Sequence, residues 1–191
     1  MRLYLASRSP RRRELIARLG IEPSAIAAAD IDETPLPNEP AATYVARLAT
    51  DKARHVAERH PEAVVIGADT IVALDGELLG KPADADAACA MLDRLSGRAH
   101  EVLTGVAVAR GSDVHGIVEV SRVWFRSLGR AEIEDYVATG EPLDKAGSYA
   151  IQGLGGAFVE RTEGPWDNIV GLPMAVVARL LAERGGLSGR S

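Results

Sequence analysis

A short buried strand that passes at once into a helix opening on arginines constrains this chain more than any other feature. Leu3–Ala6 is apolar enough for an interior strand, and Ser7-Arg8-Ser9-Pro10-Arg11-Arg12-Arg13-Glu14-Leu15 follows. Ser9 suits the N-cap, and Pro10 suits the first helical position. Arg11, Arg12 and Arg13 then fall in the first turn, where the helix dipole is positive and the N–H groups seek an anion. Each cation placed there costs about 0.3–1 kcal/mol. A bound phosphate reverses the sign of that contribution. Leu15, Ile16 and Leu19 mark the inward face, so Arg11 and Arg12 lean toward the interior and Arg13 points to solvent. The competing explanation is a basic, solvated helix start.

Composition narrows the ligand. The chain has 191 residues, 47% of them hydrophobic, which is enough for a sizeable core in one domain. Its net charge is −5. An acidic chain with one tight arginine cluster implies a small anionic ligand, because a nucleic-acid backbone needs a broad basic surface. The single cysteine, Cys89, excludes an internal disulfide, and its neighbours Ala87, Ala88, Met91 and Leu92 place it in the core. No signal-like apolar segment and no long apolar run occurs, so a cytoplasmic protein without a membrane partner is expected. Gly185–Ser191 reads as a loose tail.

The remaining elements follow from pattern and punctuation. A weak strand is expected over Ile26–Ala29, an acidic loop over Asp30–Pro35 and a helix from Pro40 to about Glu58. Ala63–Leu74 is a nearly continuous apolar run, and Asp75-Gly76 turns it back through Glu77-Leu78-Leu79. Asp84 can cap a helix ending at Leu95, with Gly97 just past its end. Glu101–Ala109 and Val114–Phe125 read as two long strands of an antiparallel ribbon, followed by a short helix over Ala131–Ala138. A glycine-rich stretch, Gly147–Gly156, precedes a strand at Ala157–Arg161, and a last helix runs from Pro173 to about Glu183. Early alternation of helices and strands with long hairpins in the middle predicts an α/β fold with a mixed, twisted sheet flanked by helices.

Two charges lie where apolar residues belong. Asp69 interrupts Val64-Val65-Ile66-Gly67-Ala68-Asp69-Thr70-Ile71-Val72, whose flanks look buried on both faces. An unpaired buried carboxylate costs several kcal/mol, so Asp69 meets a metal, a cation or a ligand, or sits where the strand opens into a cleft; the competing explanation is a structural salt bridge at the strand bend. Lys52 shares the stripe Val45, Leu48, Lys52, Val56. It either snorkels to water or faces a cleft. Lys81 in Gly80-Lys81-Pro82 and Glu33 in the acidic loop say little alone.

Several chemistries drop out. Gly153-Leu154-Gly155-Gly156 lacks the strand-to-helix unit and the distal acid of a dinucleotide site, and there is no Walker phosphate loop. His55, His60, His100 and His115 lack zinc spacing, so a hard cation held by carboxylates is expected in preference to zinc. No nucleophile–histidine arrangement is defensible. Cations for a polyphosphate, carboxylates for a metal and a base, and no covalent nucleophile fit metal-assisted hydrolysis of a phosphoanhydride.

A set of motifs in order carries a family resemblance. Ser7-Arg8-Ser9-Pro10-Arg11-Arg12, Gly67-Ala68-Asp69-Thr70, Gly80-Lys81-Pro82, Leu95-Ser96-Gly97 with His100, Asp144-Lys145-Ala146-Gly147, Ile151-Gln152-Gly153 and Val170-Gly171-Leu172-Pro173 resemble the Maf family of nucleoside triphosphate pyrophosphatases, long called septum-formation proteins. The resemblance implies a fold like that of the inosine triphosphate pyrophosphatases, with one domain over residues 1–191, two lobes and an active site in the cleft. It also implies hydrolysis of a nucleoside triphosphate to the monophosphate and pyrophosphate with a divalent cation, Mg²⁺ or Mn²⁺. A nucleotide-binding regulator of septation without turnover is the alternative. A homodimer is compatible with either.

Residue by residue, Asp69 resembles the general base. Arg11, Arg12, Lys52 and Lys81 resemble the phosphate grip. Glu33 resembles a metal or water ligand, with Asp69 the second metal carboxylate. Ser7 and Ser9 are expected to donate to phosphate oxygens, and Thr70 and Gln152 join the substrate-binding set. Arg11, Asp69-Thr70 and Gln152 match the branch acting on dTTP and UTP. The 7-methyl-GTP branch carries tryptophan, Ser-Asp-Gln and Ser-Glu-Gly at those places. Gly164-Pro165-Trp166-Asp167-Asn168 departs from the smaller, polar segment expected there, which implies a different local loop.

Overall fold

The computed structural model describes residues 2–184. The elements in chain order are β1 (Leu3–Ala6), α1 (Pro10–Arg18), β2 (Ala25–Ile26), α2 (Ala41–Ala57), β3 (Val64–Leu74), β4 (Glu77–Leu79), α3 (Ala85–Leu95), β5 (Ala99–Arg110), β6 (Asp113–Phe125), α4 (Arg130–Ala138), β7 (Val159–Glu163), α5 (Trp166–Val170) and α6 (Met174–Arg184). Short 3-10 turns lie at Glu141–Asp144, ahead of the glycine-rich stretch, and at Ala146–Ser148 and Leu154–Phe158, which overlap its two ends. The strands form one seven-stranded sheet in the order β2-β1-β3-β5-β6-β7, with β4 paired to β3. β1 runs parallel to β2 and β3, while β4 and β7 run antiparallel to their partners. The sheet is therefore mixed, as the alternation of elements predicts.

Two compact units divide the chain. The first holds the residues up to Asp69, Thr104–Glu119 and those from Gly171; the second holds Thr70–Leu103 and Val120–Val170. The first unit owes its packing to small residues. Ala6, Ala49, Ala53, Val56, Ala57, Ala63, Val65, Ala107 and Ala109 form one buried cluster, so α2 can come close to the sheet. Gly67 sets that approach: a Cβ there would lie 2.3 Å from the Ala49 carbonyl oxygen and 2.7 Å from the Ala53 nitrogen. The second unit is built on rings. His100, Phe125 and Tyr149 stack edge to face at 4.8–5.4 Å, and Phe158 extends the group to Tyr136 at 4.9 Å.

Several local expectations shift. Asp75 (φ 52°) and Gly76 (φ 84°) make the expected two-residue hairpin turn, and Asp84 caps α3 by accepting from the Ala87 N–H at 2.8 Å. β2 spans only Ala25–Ile26, not Ile26–Ala29, because it pairs with just Tyr4 and Leu5 of the four-residue β1. β7 starts at Val159 because Leu154–Phe158 close into a 3-10 turn instead of extending. Cys89 is only half-buried, since α3 turns Ala88, Leu92 and Leu95 inward. The Trp166 segment forms the short helix α5, which buries Asn168 completely; its Nδ2 donates to the Val102 carbonyl at 3.0 Å and to Ser121 Oγ at 2.9 Å. The expected tail, Gly185–Ser191, lies outside the described residues.

Candidate active site

The first unit sets two carboxylates, Glu33 and Asp69, against one lysine. Helix α2 places Tyr44, Leu48 and Lys52 on one face at intervals of four, and all three are buried. Lys52 is 8% exposed, so it does not snorkel. Its Nζ lies 2.6 Å from Asp69 Oδ1 and 2.8 Å from Glu33 Oε1. Asp69 is also 8% exposed, at the end of the part of β3 that this unit contains. The Glu33 carboxylate is half-exposed, with 51% of its side-chain surface open. Asp69 therefore takes a cation, Lys52, in a buried ion pair whose second carboxylate opens to water.

The acidic loop is stapled to the same helix. Tyr44 OH donates to the Glu33 carbonyl at 3.0 Å, and Arg47 Nη2 donates to the Thr34 carbonyl at 3.2 Å. Arg47 also grips Glu39 through two bonds of 2.7 Å, and Glu39 accepts from the Leu36 N–H at 3.0 Å. Arg47 holds the Glu39 carboxyl down at about 2, well below its ordinary 4.5. Burial pushes the Tyr44 phenol up to about 12, helped by the charges of Asp69 and Glu33, so it stays a neutral donor. Tyr44 escaped the sequence reading although it sits eight residues before Lys52 on the same stripe. Arg47 carried no such signal.

Ser9 occupies the N-cap position of α1, Pro10 follows, and no side chain caps the helix. The first turn holds no acid. The Ser9 hydroxyl thus does not cap; instead the Ser9 N–H donates to Ser7 Oγ at 3.2 Å. Arg13 is exposed, while Arg11 and Arg12 are partly covered, as their spacing from Leu15 and Ile16 predicts. Arg12 is a brace as well as a charge. Its Nε donates to the Gly171 carbonyl at 2.8 Å, and its Nη1 donates to the Ala68 carbonyl at 2.9 Å and Ser7 Oγ at 3.2 Å. It therefore ties the residue before Asp69 to the Val170-Gly171-Leu172-Pro173 motif. Burial lowers its pKa, and the Asp69 charge opposes that shift.

Thr70, Lys81 and Gln152 belong to the second unit. Thr70 is half-buried, while Lys81 and Gln152 are exposed. The Gly80 carbonyl, next to Lys81, accepts from the Gly147 N–H at 3.1 Å, so two of the sequence motifs meet there.

Among the described residues no group of three or more His, Cys, Asp or Glu could hold a metal ion. Glu33 and Asp69 alone are two carboxylates drawn together by Lys52. Magnesium is ordinarily held by one or two carboxylates plus the phosphates of a substrate. The donor set fits an ion that enters with a polyphosphate and does not fit a closed protein cage.

Residues 2–184 match the family described as Maf-like protein. The chain is 57% identical over 185 residues to the dTTP/UTP pyrophosphatase of Myxococcus xanthus, covering 97% of this chain and 93% of that one. It is 55% identical over 188 residues to the dTTP/UTP pyrophosphatase of Anaeromyxobacter dehalogenans, covering 96% and 94%. Among solved structures, a HAM1 protein from Coxiella burnetii aligns over 80% of this chain and 88% of its own, with a TM-score of 0.50 and 17% identity, a likeness of fold alone. A family match over residues 2–184, with relatives at 57% and 55% identity over nearly the whole chain, leaves one assignment: this chain belongs to the Maf-like protein family.

Proposed function

We propose that this protein hydrolyses dTTP and UTP to the nucleoside monophosphate and pyrophosphate. One observation carries the chemistry: Lys52 holds the buried Asp69 carboxylate in the same unit as an uncapped helix start bearing three arginines. A protein that only binds a polyanion gains nothing from a buried negative charge in that place. A hydrolase needs one, as a proton acceptor. The relatives at 57% and 55% identity are named dTTP/UTP pyrophosphatases, which supports the substrate class.

In this reading Arg11 and the α1 N-terminus receive phosphate oxygens, and Arg12 adds charge while bracing Ala68. Ser7, Ser9 and Lys81 supply further donors. Asp69 accepts a proton from the attacking water as the new P–O bond forms. The bridging P–O bond breaks, and pyrophosphate leaves with the electron pair. Lys52 fixes the Asp69 carboxylate in one orientation. A divalent ion, Mg²⁺ or Mn²⁺, held by Glu33 and Asp69 would neutralise charge on the phosphates when bound. Thr70 belongs to the substrate-binding set, and Gln152 is the base-recognition residue. The Gln152 amide offers a donor and an acceptor, which match the N–H flanked by carbonyls on thymine and uracil. Cytosine reverses part of that pattern, and a mismatched polar pair is rejected strongly. The activity is placed in the cytoplasm, and a homodimer is part of the same proposal. No described helix is long and apolar enough to cross a membrane.

Pyrophosphate release from dTTP, UTP, CTP, ATP, GTP and 7-methyl-GTP, with and without Mg²⁺ or Mn²⁺, tests this reading. Turnover of dTTP and UTP well above the rest is expected. Binding without turnover would leave the regulator reading, and best turnover of 7-methyl-GTP would overturn the branch assignment.

A further inference from the structure

The glycine-rich stretch is wrapped around a carboxylate. Glu141 opens the first 3-10 turn, after the left-handed Gly140. Its Oε1 accepts from Tyr136 OH at 2.8 Å and from the Gly155 N–H at 3.1 Å. Its Oε2 accepts from the Leu154 N–H at 3.1 Å. The Tyr136 hydroxyl in turn accepts from the Ala150 N–H at 3.1 Å. These bonds hold both flanks of Gln152, which is exposed within a turn closed by the Gly153 N–H on the Ala150 carbonyl at 3.0 Å.

The glycines complete the device. A Cβ on Gly153 would lie 2.3 Å from Glu141 Oε2, and one on Gly155 would lie 2.7 Å from the Tyr136 hydroxyl. The backbone reaches the carboxylate because no side chain stands between them. Burial works to raise the Glu141 pKa, but the Gly155 N–H, the Tyr136 hydroxyl and the Leu154 N–H outweigh it, and the net shift is downward. Carboxylate bonds of this kind are about twice as strong as neutral ones.

We propose that Glu141 is a positioning residue for base selection, fixing through Leu154, Gly155 and Tyr136 the loop that presents Gln152. The proposal rests on the reading of Gln152 above as the residue that recognises the base.

The test compares Glu141→Gln, Gln152→Ala and the double variant by the ratio of kcat/KM for dTTP to that for CTP. Amide exchange at Leu154 and Gly155 is followed alongside. An amide at position 141 turns one of its acceptors into a donor facing an N–H or O–H. Loss of one charge-assisted bond corresponds to a factor of about ten or more. The expected result is a fall of that size in the ratio for Glu141→Gln, with faster exchange at both amides. The double variant should be no less selective than Gln152→Ala. If Gln152→Ala erases the preference while Glu141→Gln keeps it, positioning is overturned and the Gln152 reading stands. If Gln152→Ala keeps the wild-type preference, the Gln152 reading fails and the proposal falls with it. Should Glu141→Gln fail to fold, Tyr136→Phe removes the hydroxyl that links Glu141 to Ala150. It should lower the same ratio by a smaller factor, and an unchanged ratio overturns the proposal.

Discussion

Lys52→Met separates the energetic role of the buried pair from its chemistry. Methionine keeps the unbranched stem and the helical stripe of Val45, Leu48 and Val56, so packing changes little. The charge that meets Asp69 at 2.6 Å and Glu33 at 2.8 Å disappears. Glu33 is half-exposed and returns to water at small cost. Asp69, 8% exposed, cannot do so. Breaking a buried pair by removing one partner costs about 3–5 kcal/mol. The Arg12 charge, which interacts with Asp69, offsets part of this, so we expect about 3 kcal/mol. For a chain of this size that lowers Tm by about 6–12 °C. Urea unfolding without nucleotide measures it directly. Lys52→Met/Asp69→Asn removes both charges of the pair and should regain most of the loss. A Lys52→Met protein as stable as the parent would refute the argument, as would a double variant no more stable than Lys52→Met. In turnover or affinity, loss of the Lys52 charge should cost about 1.5–3 kcal/mol, the range for charge-assisted bonds.

Asp69→Asn removes the proton acceptor and keeps the shape, so pyrophosphate release should fall about 10²–10⁴-fold with nucleotide affinity retained; near-parental turnover in a folded variant would remove Asp69 from the mechanism. Gly67→Ala pushes a Cβ into the Ala49 carbonyl and the Ala53 nitrogen, so thermal unfolding should show a loss of about 1–3 kcal/mol, with turnover falling as α2 carries Lys52 away from Asp69. His100 is buried and unprotonated, and burial lowers its pKa from 6.5 to about 4. The unfolded chain therefore binds the extra proton between those values, and stability is lost as pH falls through that window, by up to about 3 kcal/mol. Urea midpoints taken from pH 7 to 4 should show this fall, and His100→Asn should flatten it; an equally steep decline in the variant would assign the effect to other groups.

The features legible in the sequence are those set within a few residues of each other. The stripe that carries Lys52, the Asp75-Gly76 turn, the Asp84 cap and the uncapped arginine-rich start of α1 each follow from helical period, backbone preference or dipole, which neighbouring residues decide. Asp69 was visible as an anomaly because a charge inside an apolar strand demands a partner. Which partner it takes was not visible. The Lys52–Asp69 pair spans 17 residues, the bond from Arg12 to Gly171 spans 159, and those from Glu141 to Leu154 and Gly155 span 13 and 14. Such contacts depend on how strands and helices pack, and no local preference encodes them. The length of β2 and the half-exposure of Cys89 were decided in the same way, by pairing with β1 and by the face that α3 turns inward. The sequence alone marked Lys52 and Asp69 as charges where apolar residues belong; the tertiary structure decided that Lys52 would face two carboxylates and not water, because its place on the inward face of α2 buries the ammonium beside Asp69 and Glu33.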